Sequence, residues 1–459
     1  MIKCLTSLII ISAWMTCAEA ARPSFNSKPW INDYSELRQH LEKSYANLTW
    51  FASPQGELDL PKLHRKTLSA LNNSKSASEA KAVIESFVEA FYDGHLYILP
   101  KASTLPDTNK TLVSPLSRSS SSTLACAQLD FVHKKGTAFS LPFEVSPGFE
   151  LLNSGESDSF RTGIANLPNG KKIGILRVSV MRQNEFPNEC ERAWNKVTRN
   201  QKSGVCDSTC KEEVNDRAME FLLEDLSQRL HAFSKLGVSA VLLDIGGNSG
   251  GNDLGDWIPR LFTSREIHSP RLGIVTDPKS VVYYDEQLAG ISSALKGKNS
   301  STALSALNNA ADEFKRLKEL ALNIKKCDMS WVWRERRAWF PLDSKCTNLS
   351  FGQSYFSGAL DFLKSGTLGS PEVEKSLYWP TIVSPYIGSW VGPVYVVVDK
   401  KTGSAAEATA AIFQNNKAAK IIGSKTAGYG CGFMYKDSEF TLSNSRLRVS
   451  IPNCVRLIS

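Results

Sequence analysis

Two apolar runs, Val238–Ile245 (VSAVLLDI) and Val394–Val398 (VYVVV), constrain this chain more than any other feature of its sequence. Each has the length of a strand but lacks the alternation of a strand with one wet face. Such runs belong in a parallel sheet covered by helices on both sides. Each is followed by a glycine-containing turn and then a helical stretch. The first leads into Gly246–Gly251 (GGNSGG) and a helix at about 253–262. The second leads into Thr402-Gly403-Ser404-Ala405-Ala406-Glu407 and a helix at about 404–416. A strand at Ile173–Val180 (IGILRVSV), an amphipathic helix at Glu212–Leu236 and a strand at Ala419–Ile422 continue the alternation. The pattern predicts an α/β layered domain within a chain that is α+β overall.

Outside that domain the periodicity changes. Residues 32–46, 60–72 and 76–92 read as helices, and Ser76 three residues ahead of Glu79 fits a capping box. A Ser-rich stretch, Ser114–Ser122, marks a boundary, and a β-rich segment of about 125–170 follows. An insert at 276–385 separates the halves of the α/β domain. It holds a helical part (302–325) and an aromatic-basic stretch, Trp331–Trp339 (WVWRERRAW), read first as packed surface and second as a substrate-facing lid. The expected division is 1–20, a helical domain 21–115, a β-rich connector 116–170 that could be a degenerate PDZ-like segment, and the catalytic domain 171–459.

Met1–Ala20 reads as an export signal: Lys3, an apolar run from Leu5 to Met15, and Ala18-Glu19-Ala20 as cleavage site. The run is too short to span a bilayer, so no stable membrane insertion is expected, and the chain is placed in the periplasm or outside the cell. Cleavage leaves eight cysteines, an even number that in an exported chain favours disulfides over metal. Cys206 and Cys210 lack the second ligand pair of a zinc site. Cys327 with Cys346 and Cys431 with Cys454 are plausible local pairs, but the pairing stays open. The net charge of +8 is spread without a dense Lys/Arg block, which argues against nucleic acid as partner.

The two turns carry the chemistry. Gly246–Gly251 can turn backbone N–H groups outward to cradle a phosphate or a reaction oxyanion. It lacks the Gly-x-Gly-x-x-Gly spacing of a dinucleotide site and a P-loop Lys-Ser/Thr. Ser404, at a helix start, reads locally as an N-cap first and as an exposed nucleophile second.

Taken together, the motifs resemble a family. LLDIGGNSGG is similar to the LDLRxNxGG signature of the C-terminal processing and tricorn-type serine proteases. GSAAEATAAIFQNNKAAKIIGSKTAGYG resembles their nucleophile segment, and IGILRVSV the strand that opens their catalytic domain. The resemblance covers about 171–262 and 390–455 and implies a Clp protease/crotonase-like fold without a cofactor or metal. The processing proteases carry a lysine base twenty-five residues after the serine, where this chain has Tyr429. The tricorn-like branch uses an upstream histidine, and Asp93-Gly94-His95 looks like that element, so the chain sits closer to the histidine branch than to the Ser-Lys branch.

The resemblance therefore implies Ser404 as nucleophile, His95 as general base, and oxyanion donors from the Ala405 N–H and from Gly250 or Gly251. Lys425 is the alternative base, and Tyr429 and Glu407 are auxiliary. The tricorn pattern also carries a glutamate further downstream of the nucleophile; here the orienting carboxylate is either absent or supplied by Asp93, Glu407 or Glu439. The expected activity is exported serine peptidase on protein or peptide substrates. The alternatives are a retired member of the fold binding peptide or lipid, and an acyl-thioester enzyme.

Overall fold

The computed structural model describes residues 25–100, 115–131, 137–156, 159–200, 204–323, 327–339, 347–436 and 438–457. The expected export signal and Cys346 lie outside them. Among the described residues no helix is long and apolar enough to cross a membrane.

The apolar runs form the centre of a six-stranded sheet. Its strands, in spatial order, are Phe149–Asn153, Thr162–Asn166, Lys172–Arg177, Ala240–Asp244, Val394–Val398 and Lys420–Gly423. The first three are joined antiparallel, and the last four run parallel. The helix Ser208–Lys235 supplies Leu222, Leu226, Leu230 and Phe233 to the core, and the helix Ala405–Asn415 supplies Ala406, Ala410 and Phe413. Both predicted parallel strands are thus buried among helices, as their unbroken apolar character requires. The family-like layered α/β architecture is present.

The connector expected to be β-rich is mixed. Residues Ser122–Gln128 form a helix because Ser121 caps its start, accepting the Leu124 N–H at 3.4 Å, and Cys126 is bonded to Cys190. The two strands of the connector, Phe149–Asn153 and Thr162–Asn166, extend the central sheet. Cys206 is bonded to Cys210, and Cys431 to Cys454.

The N-terminal helices Lys28–Ser44, Leu60–Asn73 and Ala77–Glu89 bury Tyr34, Leu37, Leu41, Ile84 and Phe87 in a second core. The capping box expected at Ser76 is half formed: Ser76 Oγ accepts the Glu79 N–H, whereas the Glu79 carboxylate reaches the N–H of Lys75. The aromatic-basic stretch of the insert belongs to this core. Val332 and Trp333 are buried in it, Trp333 Nε1 donates to Glu42 at 2.6 Å, and Arg336 donates to the Ser53 carbonyl at 3.0 Å. It packs against the N-terminal helices.

The C-terminal segment ties the parts together. Tyr97–Ile98 pairs antiparallel with Arg448–Ser450, which also pairs with Glu439–Thr441. Cys454–Leu457 pairs with Arg271–Val275, itself paired with Leu349–Tyr355 of the insert. The loop carrying His95 is therefore held by residues that follow Ser404.

Candidate active site

Ser404 precedes the helix Ala405–Asn415 with φ 53° and ψ −121°, a left-handed backbone that a side chain rarely adopts. Strain of this kind costs about 1–3 kcal/mol and persists only where neighbours enforce it. Here the neighbours are identifiable. The Gly403 N–H donates to the Asn248 carbonyl at 2.9 Å, and the Ser404 N–H donates to Glu407 Oε2 at 2.9 Å. Gly250, with φ 97°, passes so close that a Cβ there would lie 2.7 Å from the Ser404 Cβ and from the Ala405 nitrogen. Only glycine lets this turn approach the serine.

The turn itself is braced from below. Asp244 is buried and accepts the Ser140 N–H at 2.7 Å and the Gly246 N–H at 3.1 Å. Arg177 donates to its carboxylate at 3.2 Å and to the Gly246 carbonyl at 2.6 Å. Burial lowers the Arg177 pKa, with Asp244 and Asp399 opposing it. Asp399 bridges both turns through the N–H groups of Gly247 (2.9 Å) and Thr402 (3.0 Å). Burial alone would raise the Asp399 pKa, but these N–H donors hold it below the ordinary carboxylate value.

The oxyanion candidates are not equivalent. The Gly250 N–H is engaged by Asn248 Oδ1 at 2.8 Å. Among the described residues, the N–H groups of Gly251 and Ala405 donate to no partner. Gly251 is also pinned to Met181, whose carbonyl accepts the next N–H, that of Asn252, at 2.7 Å.

Glu407 connects the nucleophile to the segment where the family lysine would stand. Its carboxylate accepts the N–H groups of Ser404, Gly428 (2.5 Å), Tyr429 (2.8 Å) and Gly430 (3.1 Å). The Tyr429 carbonyl in turn meets His95 Nδ1 at 3.2 Å. A carbonyl only accepts, so this bond places the proton on Nδ1 and leaves the Nε2 lone pair available, the tautomer a general base needs. The edge of the Tyr429 ring lies against both loops: a Cβ on Gly94 would fall 2.6 Å from it, and one on Gly403 2.7 Å. Gly94 and Gly403, the residues before His95 and Ser404, thus flank one tyrosine ring. No hydrogen bond joins the Ser404 hydroxyl to the His95 ring among the described residues.

Of the proposed orienting carboxylates, Asp93 stands beside the histidine. It is buried, its Oδ1 accepts the His95 N–H at 2.9 Å and lies 3.7 Å from Nδ1, and its Oδ2 accepts the Tyr45 hydroxyl at 2.8 Å. Burial raises its pKa, opposed by the hydrogen bonds it accepts from the His95 N–H, Tyr45 and Asn47. Glu439 is instead paired with Arg448 at 2.6 Å on an exposed strand. Lys425 is 84% exposed and reaches Glu57 at 3.3 Å, so it lacks the desolvation that would make an amine a base.

The sequence reading missed Asn248, Asp399 and Gly432. Asn248 lies within the first glycine turn and Asp399 just before the second, which is the signal that could have marked them. Gly432 carries no local signal. A Cβ there would lie 2.8 Å from His95 Cδ2 and Nε2, so the base packs directly on its backbone.

Residues 354–451 match the family model described as Peptidase family S41. That span holds Ser404, Ala405, Glu407, Lys425 and Tyr429 but not His95 or Gly250–Gly251. Among solved structures, a mutant of CPAF is similar with a TM-score of 0.50 at 12% identity, covering 94% of this chain and 89% of that chain. Mature CPAF complexed with lactacystin gives 0.49 at 13%, covering 94% and 90%. The photosystem II D1 C-terminal processing protease gives 0.30 at 11%, covering 94% and 89%. No curated protein matches. The first of these likenesses speaks to the shared fold, and the family match supports a serine-type peptidase.

Proposed function

We propose that this protein is an exported serine peptidase in which Ser404 attacks the peptide carbonyl and His95 acts as general base. The observation that carries the reading is the linkage from Ser404 through Glu407 and Tyr429 to His95 Nδ1, which fixes the strained serine and the histidine tautomer with one set of bonds. In this mechanism Nε2 takes the Ser404 proton as Oγ adds to the carbonyl. The tetrahedral oxyanion is met by the Ala405 and Gly251 N–H groups. Nε2 then returns the proton to the leaving amine, and water repeats the sequence on the acyl-enzyme. Asp93 positions the histidine loop through its backbone N–H, and Glu407 and Tyr429 are positioning residues. Disulfides among the described residues support export, since they form and persist in oxidising compartments.

Hydrolysis of unstructured protein substrates by the purified chain tests this: Ser404→Ala abolishes it, and unchanged hydrolysis by that variant refutes the reading. A second reading, a peptidase-fold protein that binds peptide without cleaving it, has one observation in its favour. This is the absence of a hydrogen bond between Ser404 and His95 among the described residues. Covalent labelling by a fluorophosphonate separates the two, because only an activated serine reacts.

A further inference from the structure

Next to His95 lies a groove of about 820 Å³ that the chemistry above does not use. Its floor is one face of the small antiparallel sheet. Tyr97, Ser450 and Glu439 stand opposite one another in register, so their side chains share that face. One wall is the helix Val281–Leu295, from which Val282 and Glu286, one turn apart, face the groove. The other wall is the segment 433–436, whose Phe433 ring packs edge-on against the His95 ring at 5.7 Å. Tyr97 is 42% exposed, Val282 56% and Phe433 41%, so three large apolar side chains converge on one open space. Clustered exposure of this kind marks a binding site rather than scattered surface.

From this geometry we infer that the groove is a substrate subsite for a large neutral apolar side chain, aromatic above all, of a peptide bound in extended form. The inference rests on the serine-peptidase reading for the word substrate, and on the groove alone for the ligand chemistry. Charge supports a neutral occupant. Glu439 is neutralised by Arg448, and Glu286 and Lys436 add one charge of each sign. Position supports the peptide, because Tyr97 follows the proposed base by two residues and Phe433 touches its ring. A side chain seated between Phe433 and Val282 therefore touches the ring that packs against His95. The volume is large enough for a side chain together with its flanking backbone.

The test uses the full-length chain carrying Ser404→Ala, so that bound peptides survive, and isothermal titration with blocked peptides of serine and alanine. A single phenylalanine is moved through every position of the series. The inference expects one position at which phenylalanine tightens binding about tenfold or more, as burial of a large apolar group in a matched pocket does. It also expects Val282→Glu, on an exposed helix face, to erase that preference. Val282→Glu should leave the thermal unfolding transition of the Ser404→Ala chain unchanged, because Val282 is 56% exposed, so a lost preference is not a lost fold. A series in which no position responds to phenylalanine, or a preference that survives Val282→Glu, overturns the inference. A wild-type chain that takes no fluorophosphonate label instead overturns the peptidase reading, while the titration still decides the groove.

Discussion

The substitution Gly432→Ala isolates the placement of His95. A methyl at that position would lie 2.8 Å from His95 Cδ2 and Nε2, whereas carbon contacts settle at about 3.5–4.0 Å, so something must move by roughly 0.7–1.2 Å. The backbone at 432 is the less yielding side. Its carbonyl accepts the Asn453 N–H at 2.9 Å, and the preceding residue, Cys431, is bonded to Cys454. Among the described residues the imidazole is held by the bond to the Tyr429 carbonyl and by the rings of Tyr429 and Phe433. The ring therefore shifts. A catalytic group displaced by about 1 Å loses about 100-fold in rate, or about 2.7 kcal/mol of transition-state stabilisation. The assay is kcat on a peptide substrate, with urea unfolding in parallel. The expected result is kcat down about 100-fold with stability lowered by only about 1–3 kcal/mol, the usual range for overpacking. Gly290→Ala is the control: it is exposed in a helix with nothing near its Cβ, and should stabilise by about 1 kcal/mol at unchanged kcat. A folded Gly432→Ala protein with wild-type kcat would refute the assignment of His95.

Three further outcomes follow from the structure. Glu407→Gln points an amide N–H₂ at backbone donors that now meet a carboxylate. Unfolding should become easier by about 2 kcal/mol, and fluorophosphonate labelling of Ser404 should slow at least tenfold, measured side by side. Replacing both Cys431 and Cys454 by serine opens a loop of 23 residues and should lower stability by about 3 kcal/mol in urea titrations, with loss of activity because Gly432 is released. Burial pushes the Glu189 carboxyl up to about 7, so the folded state holds its proton more tightly than the unfolded chain. The stability this gives is full below about 4.5 and is lost as pH rises through 7; Glu189→Gln should raise stability by about 1–2 kcal/mol at pH 8 and change little at pH 4, checked by thermal unfolding at both.

The elements that were legible in the sequence are those whose burial is written in their own residues. Val394–Val398 is apolar throughout and forms a strand with those bounds, and the helix after Ser404 starts where its small residues and Glu407 predict. Ser404 and the glycine turn stand out in the sequence because a parallel strand followed by a glycine turn and a helix start is a local pattern. The path of His95 to the site is not local. It depends on Tyr97–Ile98 pairing with Val449 and Ser450, a contact across most of the chain that no periodicity announces. The role of Tyr429 was obscured for a related reason: its carbonyl and its N–H, not its side-chain chemistry, make the connections. The short helix Ser122–Gln128 escaped because seven residues hold too little periodicity to outweigh the surrounding serines.

If Ser404 is a nucleophile activated by His95, its reactivity toward an electrophile depends on the histidine. The most direct measurement is the rate of fluorophosphonate labelling of the intact protein, with the modified residue located by peptide mass mapping, compared with His95→Ala. A label on Ser404 is expected that forms at least 100-fold more slowly in His95→Ala, the upper part of the range for general-base catalysis being about 10⁴-fold. A folded wild-type protein that takes no label, or a His95→Ala protein labelled at the wild-type rate, would contradict this.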